Sequence, residues 1–270
     1  GFLVGGTAGR TTLAGEGLQH QDGHSHLLAL PVPNLIAYDP AFAFEIAVII
    51  REGIYRMYEK QESVFYYLTI ENENYPMPAM PEGDVEKIKE GILKGAYCFK
   101  PAASKEKLKA TLLGSGAILN EVLKAQKMLE GYKVAADVWS VTSYKELYRD
   151  AMQVERWNRL HPEDKYKTNY VERCFSKAEG VIVAASDYVK AMPELISQWL
   201  PHKLVSLGTD GFGRSEDRES LRDFFEVDAR YITVATLSAL ANDGKIKADV
   251  VSKAIKDLGI DVDKEDPSLR

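Results

Sequence analysis

Asn34-Leu35-Ile36-Ala37-Tyr38-Asp39-Pro40 and the downstream Ser63-Val64-Phe65-Tyr66-Tyr67-Leu68-Thr69-Ile70 are two runs rich in apolar, branched and aromatic residues, the first closing on an Asp-Pro turn. Both read as strands. Between them Phe42, Ile46, Ile49, Ile50, Gly53, Ile54 and Met57 recur at helical spacing, with Arg51, Glu52 and Arg56 on much of the other side. This predicts a helix over 41–58 and a strand-helix-strand unit. Upstream, Phe2-Leu3-Val4-Gly5-Gly6 reads as the end of a buried strand entering a glycine-rich loop, and the apolar run 27–33 leads into the strand at 34–40.

Three prolines, Pro76, Pro78 and Pro81, fall within six residues and can continue neither strand nor helix. They mark the start of a domain connection, which the lysine-rich segment 84–107 completes. From Leu108 a second set begins, with strands at 109–113, 134–141, 180–185 and 203–207 and helices through 119–129, 189–200, 217–225 and 246–258. Strands alternating with helices give an α/β class with mostly parallel sheets and helices on both faces. The expected organisation is therefore 1–83, a connection at 84–107, and 108–270.

The chain has 270 residues, 45% of them hydrophobic, enough for one large core or two modest ones. A formal net charge of -6, with acidic and basic residues interspersed, leaves no footprint for nucleic acid. No apolar run approaches membrane-spanning length, and nothing directs the chain to a membrane. Cys98 and Cys174 lie far apart without a CxxC, which favours a reducing compartment and makes the cytoplasm the expected location. The chain does not begin with methionine and opens as if inside a strand, so a longer parent is expected.

Chemistry is expected in Gly17-Leu18-Gln19-His20-Gln21-Asp22-Gly23-His24-Ser25-His26, which holds three of the five histidines beside several glycines. Imidazole titrates near neutrality, and glycine lets backbone approach a ligand. Such a loop suits proton transfer or anion binding. The alternatives are a solvated surface loop, or a divalent metal site built from His20, His24, His26 and Asp22. Against metal, zinc sites usually draw ligands from helix or hairpin spacing with a distant third or fourth ligand, and neither Cys98 and Cys174 nor His161 and His202 show such grouping.

Other glycine turns are less specific. Gly114-Ser115-Gly116 lies between a strand and a helix but lacks the third glycine of a dinucleotide fingerprint and the lysine of a P-loop, and reads as a structural turn. Gly5-Gly6-Thr7-Ala8-Gly9-Arg10 likewise reads as a structural turn, although its arginine suits a phosphate or carboxylate contact. Gly208-Thr209-Asp210-Gly211-Phe212-Gly213-Arg214-Ser215 reads equally as a packing turn or as a substrate or subunit surface. Glu155, Arg156 and Trp157 beside His161-Pro162 read as stabilising an irregular connection. No Gly-x-Ser-x-Gly elbow occurs and no cysteine neighbours a histidine, which removes nucleophilic hydrolases.

Several segments together, GGTAGRTTLAGEGLQHQDGHSH, PNLIAYDPAFAFEIAVIIREG, YYLTIENENYPMPAMPEG, VWSVTSYKELYRDAMQVERWN and GTDGFGRSEDRESLRDFFEVDARY, resemble the homodimeric bacterial-type pyruvate dehydrogenase family. These are the thiamine diphosphate-dependent decarboxylating components of pyruvate dehydrogenase complexes. The resemblance covers the whole chain as the C-terminal portion of such a subunit. It implies the end of the pyrimidine-binding middle domain followed by a transketolase-like C-terminal domain. The family's Gly-Asp-Gly motif for metal and diphosphate is absent, as is its ring-activating glutamate, so residues binding thiamine diphosphate and Mg²⁺ are expected upstream of Gly1 and the isolated chain is expected to be inactive. The resemblance further implies pyruvate as substrate, a lipoyl-bearing acetyltransferase component as partner, and a homodimer whose interface involves residues 34–58. It makes His24 the first candidate for catalysis and His26 the second, with His20 and Asp22 assisting at the substrate. A related 2-oxo acid or ketose-phosphate enzyme, or a non-catalytic transketolase-like assembly domain, are the competing readings.

Overall fold

The computed structural model describes residues 1–6, 8–103 and 105–269. Two sheets organise it. The first is three-stranded and fully parallel, in the order β1 (Phe2–Gly6), β3 (Phe65–Ile70), β2 (Leu35–Tyr38). Helix α1 (Ser25–Ala29) precedes β2. Helix α2 (Ala43–Ile54), extended by a π-helical turn at Tyr55–Glu59, makes the crossover to β3. The strand-helix-strand unit expected over 34–70 is thus present, and Ile36, Tyr38, Ile49, Tyr66 and Leu68 form its core.

Residues 84–107, expected as a connection, hold regular structure. Helix α3 (Val85–Lys94) starts at Asp84, whose carboxylate accepts from Lys87 N, and stops at Gly95 in the left-handed region (φ 109°). Both are standard end signals. Strand β4 (Tyr97–Lys100) then joins the second sheet as its antiparallel edge. That sheet runs β4, β6 (Val134–Ser140), β5 (Leu108–Gly114), β7 (Val181–Ala185), β8 (Leu204–Leu207), and all neighbours except the β4–β6 pair are parallel.

Side chains alternate across the pleat. Leu112 and Val183 face a core shared with α4 (Ile118–Glu130), α9 (Ala229–Asn242) and α10 (Ala248–Asp257). Leu113, Ile182 and Ala184 face the opposite core, built with α5 (Tyr144–Leu160), α6 (Tyr170–Phe175) and α7 (Ala191–Glu194). Helix α8 (Arg218–Phe224) precedes α9. The helix expected over 189–200 is instead α7 followed by a 3₁₀ turn at Ser197–Trp199. Glu155, Arg156 and Trp157, expected in an irregular connection, sit inside α5, with His161 stacked on Trp157 at 4.5 Å. Among the described residues no helix is long and apolar enough to cross a membrane.

The two sheets meet through the carboxyl ends of their strands, where polar residues continue past the last apolar position. Asp39 N donates to Thr142 O at 2.8 Å, and Ser143 Oγ to Ala37 O at 2.6 Å. Glu45 of α2 is buried at this junction and accepts from Tyr97 Oη (2.6 Å) and Ser140 Oγ (2.7 Å) of the second sheet, and from Ala41 N and Phe42 N of its own segment. Four donors meet the cost of burying that carboxyl group. Burial still raises its pKa, opposed by those bonds.

Candidate functional site

The histidine loop lies across this junction, anchored from the second sheet. Past β7, Asp187 is fully buried and takes Thr11 N (2.8 Å), Thr12 N (3.1 Å) and Thr12 Oγ1 (2.6 Å). The loop after β8 holds Arg10. Its Nη1 donates to Thr209 O and Gly211 O, both at 2.5 Å, and Thr209 in turn bonds Asp187 O. Gln21 accepts from Arg214 N at 2.7 Å. From α8, Arg218 Nε donates to Thr12 O and Arg222 pairs with Glu73. The Gly208–Ser215 segment therefore packs against the histidine loop, although Phe212 stays 73% exposed.

Arg10 itself is 2% exposed, and burial lowers its pKa against the opposing pull of Asp187, Asp22 and Asp210. Its hydrogen-bond partners among the described residues are two carbonyls and an imidazole rather than a carboxylate. Its terminal nitrogens are engaged, the second with His24 Nδ1 at 3.1 Å. Thr7 of the same turn lies outside the described residues. The Gly114–Gly116 turn is also filled from within: Ala117 N, at the start of α4, donates to Glu71 Oε2 at 2.6 Å, and Gly116 N to Asp39 O.

Asp22 shapes the turn that separates the histidines. Its Oδ1 accepts from His24 N (3.0 Å) and Ser25 N (2.9 Å), and its Oδ2 from Ser25 Oγ. This satisfies orphan donors at the start of α1. Gly23 is required here because a Cβ would stand 2.5 Å from Arg10 Cζ. His24 is exposed and turns Nδ1 to the guanidinium. Arginine only donates, so Nδ1 accepts and the neutral ring carries its proton on Nε2. His26, two residues on, is 5% exposed, lies between Tyr67 and Tyr188, and contacts Thr69 Oγ1 through Nε2 at 3.1 Å. Burial lowers its pKa to about 4, with Asp22 opposing and Lys145 adding. His20 ends an exposed 3₁₀ turn at Leu18–His20.

The loop thus keeps His24 at the surface and His26 inside. His20, His24, His26 and Asp22 do not assemble the alternative metal site, since no group of three or more His, Cys, Asp or Glu able to hold a metal ion occurs among the described residues. Behind His26 lie residues that no motif announced. Thr69 donates to Asp39 Oδ1 at 2.7 Å, and Asp39, 6% exposed, is raised to about 7 by burial against hydrogen bonds from Thr69 and Ser115. Lys145, at the start of α5, donates to Ala29 O and Val32 O, both at 2.7 Å, and so ties the end of α1 to α5. Burial lowers its ammonium to about 8. Asp39, Thr69 and Asp187 sit at or just past carboxyl ends of parallel strands, the position where ligands bind in α/β sheets, and that was the signal available in the sequence.

A family profile described as "Pyruvate dehydrogenase E1 component middle domain" matches residues 1–78, and one described as "Transketolase-like TK C-terminal domain" matches residues 95–228. The Pseudomonas aeruginosa protein named pyruvate dehydrogenase E1 component is 54% identical over 99% of the chain, and that of Escherichia coli 52% identical over 100% of it. The chain spans 30% of the length of each. Among solved structures, a transketolase from Pichia stipitis superposes with a TM-score of 0.64 at 17% identity over 90% of the chain and 31% of its own. A transketolase from Leishmania mexicana gives 0.61 at 16% identity over 88% of the chain and 30% of its own. The fold is thus an α/β, mostly parallel, transketolase-like one. The chain belongs to the pyruvate dehydrogenase E1 component family, of whose members it represents a portion.

Proposed function

We propose that this chain is part of the thiamine diphosphate-dependent decarboxylating component of a pyruvate dehydrogenase complex, and that its chemical contribution is the histidine loop. The observation that carries the reading is the loop itself, with one imidazole exposed and oriented by a buried arginine and a second kept neutral by burial. Protein relatives with about half the residues identical point to the reaction class. They favour pyruvate over another 2-oxo acid or a ketose phosphate, and an enzyme over an assembly domain.

His24 presents Nε2 outward, as an N–H when neutral, and can hydrogen-bond a substrate oxygen on which charge develops. A placed acid or base of this kind contributes roughly 10²–10⁴-fold. His26 is the second candidate, with Asp22 fixing the turn between the two and His20 at its rim. Thiamine diphosphate and Mg²⁺ belong to this reading as ligands of sequence outside the 270 residues, because the residues present do not fit them. Among the described residues no carboxylate and histidine cluster offers a metal site, and the terminal nitrogens of Arg10 are already engaged.

The reading includes a homodimer, with residues 34–58 at its interface. Ile50, Ile54, Tyr55 and Tyr58 are exposed on α2 and its π turn, which supports that surface. It also includes a lipoyl-bearing acetyltransferase component as the acceptor's carrier, a cytoplasmic location, and a division into 1–83, 84–107 and 108–270. The test is carbon dioxide release from labelled pyruvate by a full-length protein containing this sequence, with thiamine diphosphate and Mg²⁺. Release by the full-length protein and none by the 270-residue chain is expected. A silent full-length protein overturns the substrate assignment, and activity of the short chain overturns the placement of the cofactor site.

A further inference from the structure

Thr69 stands between two titratable groups and has one proton to give. Its Oγ1 lies 2.7 Å from Asp39 Oδ1, where it donates, and 3.1 Å from His26 Nε2. A weaker alternative acceptor, Tyr38 O, lies at 3.3 Å. Asp39 Oδ2 has no hydrogen-bond partner among the described residues. Neither does His26 Nδ1, since the contact to Thr69 is the hydrogen bond of that ring.

While Asp39 is ionised, the hydroxyl proton of Thr69 is held by the carboxylate. The contact with His26 then needs a proton on Nε2, which leaves a lone pair on Nδ1. When Asp39 takes up a proton, the hydroxyl is released from the carboxylate and can be donated to Nε2, and the single imidazole proton then sits on Nδ1. No atom is gained or lost at His26; the one proton taken up resides on Asp39. We propose that Asp39, acting through Thr69, sets which ring nitrogen of His26 carries the proton, and so whether Nδ1 accepts or donates a hydrogen bond. Asp39 is a positioning residue in this scheme.

The surroundings place the change on Asp39 rather than on the imidazole. Asp39 and His26 line one small cavity with Ser115, Tyr144, Ser186 and Tyr188, and the hydroxyls of Tyr144 and Tyr188 lack partners there. The charged groups facing Asp39 are Asp187 past β7, Asp22 of the histidine loop and Glu71 past β3, whose own carboxyl is raised by burial and by Asp39. Asp187 and Asp22 favour a neutral Asp39. His26 faces Asp22 and Lys145, and burial outweighs both. Above about 4 the ring is neutral, and Asp39 changes charge around 7, so the carboxyl titrates while the ring stays neutral. Near neutral pH the loop's inner histidine then switches between two neutral forms without becoming a cation.

The experiment is ¹⁵N NMR of a full-length protein containing this sequence, labelled at histidine, with His26 assigned by loss of its signals in His26→Gln. The expected result is a neutral His26 that passes from the Nδ1–H to the Nε2–H form with a midpoint near pH 7. Asp39→Asn should remove that transition, Thr69→Val should uncouple it, and Thr69→Ser should retain it. Persistence of the same midpoint in Asp39→Asn, or absence of any tautomer change in the wild-type chain, overturns the proposal. Should Asp39→Asn not fold, the Thr69→Ser and Thr69→Val pair decides alone. Any effect on turnover rests on His26 facing the substrate in the full-length enzyme, whereas the tautomer does not. Unchanged turnover in His26→Ala would remove the catalytic reading and leave the NMR result standing.

Discussion

His24 and His26 are separated by a single serine, yet one opens to solvent against a guanidinium and the other is sealed between two tyrosines. The difference does not come from residue type, since both are histidines of one short loop. It comes from what each ring meets. Asp22 fixes the backbone turn, Arg10 is clamped by carbonyls of a loop about 200 residues downstream, and Thr69 belongs to a strand of the other sheet. Identical side chains are thereby given different surroundings and different free nitrogens. A loop of this kind can present a donor and hold a neutral group in reserve within one helical turn.

The contrast is most directly broken by removing the anchor common to both rings. Asp187→Ala leaves Thr11 N and Thr12 N without their acceptor inside the protein, and should destabilise by about 3–5 kcal/mol in chemical denaturation. A loss below about 1 kcal/mol would mean that the loop does not depend on this carboxyl group. Gly23→Ala pushes a methyl group into the clamped head of Arg10 and should cost about 2 kcal/mol. It should also release the constraint on the His24 ring, visible as a changed ¹⁵N pattern at Nδ1.

The inner ring is sharpened by pH. Asp39, raised from 3.8 to about 7, contributes stability that is fully present below pH 3.8 and lost as pH rises through about 7. His26, lowered from 6.5 to about 4, contributes stability that is present above 6.5 and lost as pH falls through about 4. Between about 4 and 6.5 the two slopes oppose each other. Asp39→Asn removes the falling one, so the variant's unfolding free energy should climb more steeply with pH over this range than that of the wild-type chain. Equal slopes would place the titration elsewhere. The smallest effect belongs to the exposed ring: His24→Ala should change stability by less than about 0.5 kcal/mol, measured by the same denaturation.

The strands and the 34–70 unit were legible because buried parallel strands are short apolar runs and their crossover helix has an apolar stripe. Helix α3 escaped notice because its lysines and glutamates suggested a linker, although Asp84 and Gly95 mark both of its ends. In α9, Tyr231, Ile232, Thr233, Val234 and Thr236 bring branched and aromatic residues to a helix, and only the Asp228 cap announces it. The segment after β7 breaks into short turns at Pro193, which a periodicity count over 189–200 passes over.

For the site, the histidines could be found by residue type, but their roles could not. Arg10 looked like an anion contact because an arginine beside a glycine turn usually has free donors. Here Thr209 and Gly211 carbonyls, far away in sequence, take them. Asp39, Thr69 and Asp187 carry no motif, and only the meeting of strand ends from two sheets brings them to the loop. The buried Lys145 likewise reads in sequence as an ordinary helix-surface lysine.

The central claim, that the outer histidine is the loop's working group, is tested by pyruvate decarboxylation in a full-length protein containing this sequence, comparing His24→Ala with wild type under saturating thiamine diphosphate and Mg²⁺. The account predicts a fall in kcat of at least about 10²-fold, with folding and cofactor binding retained. Wild-type turnover in that variant would contradict it.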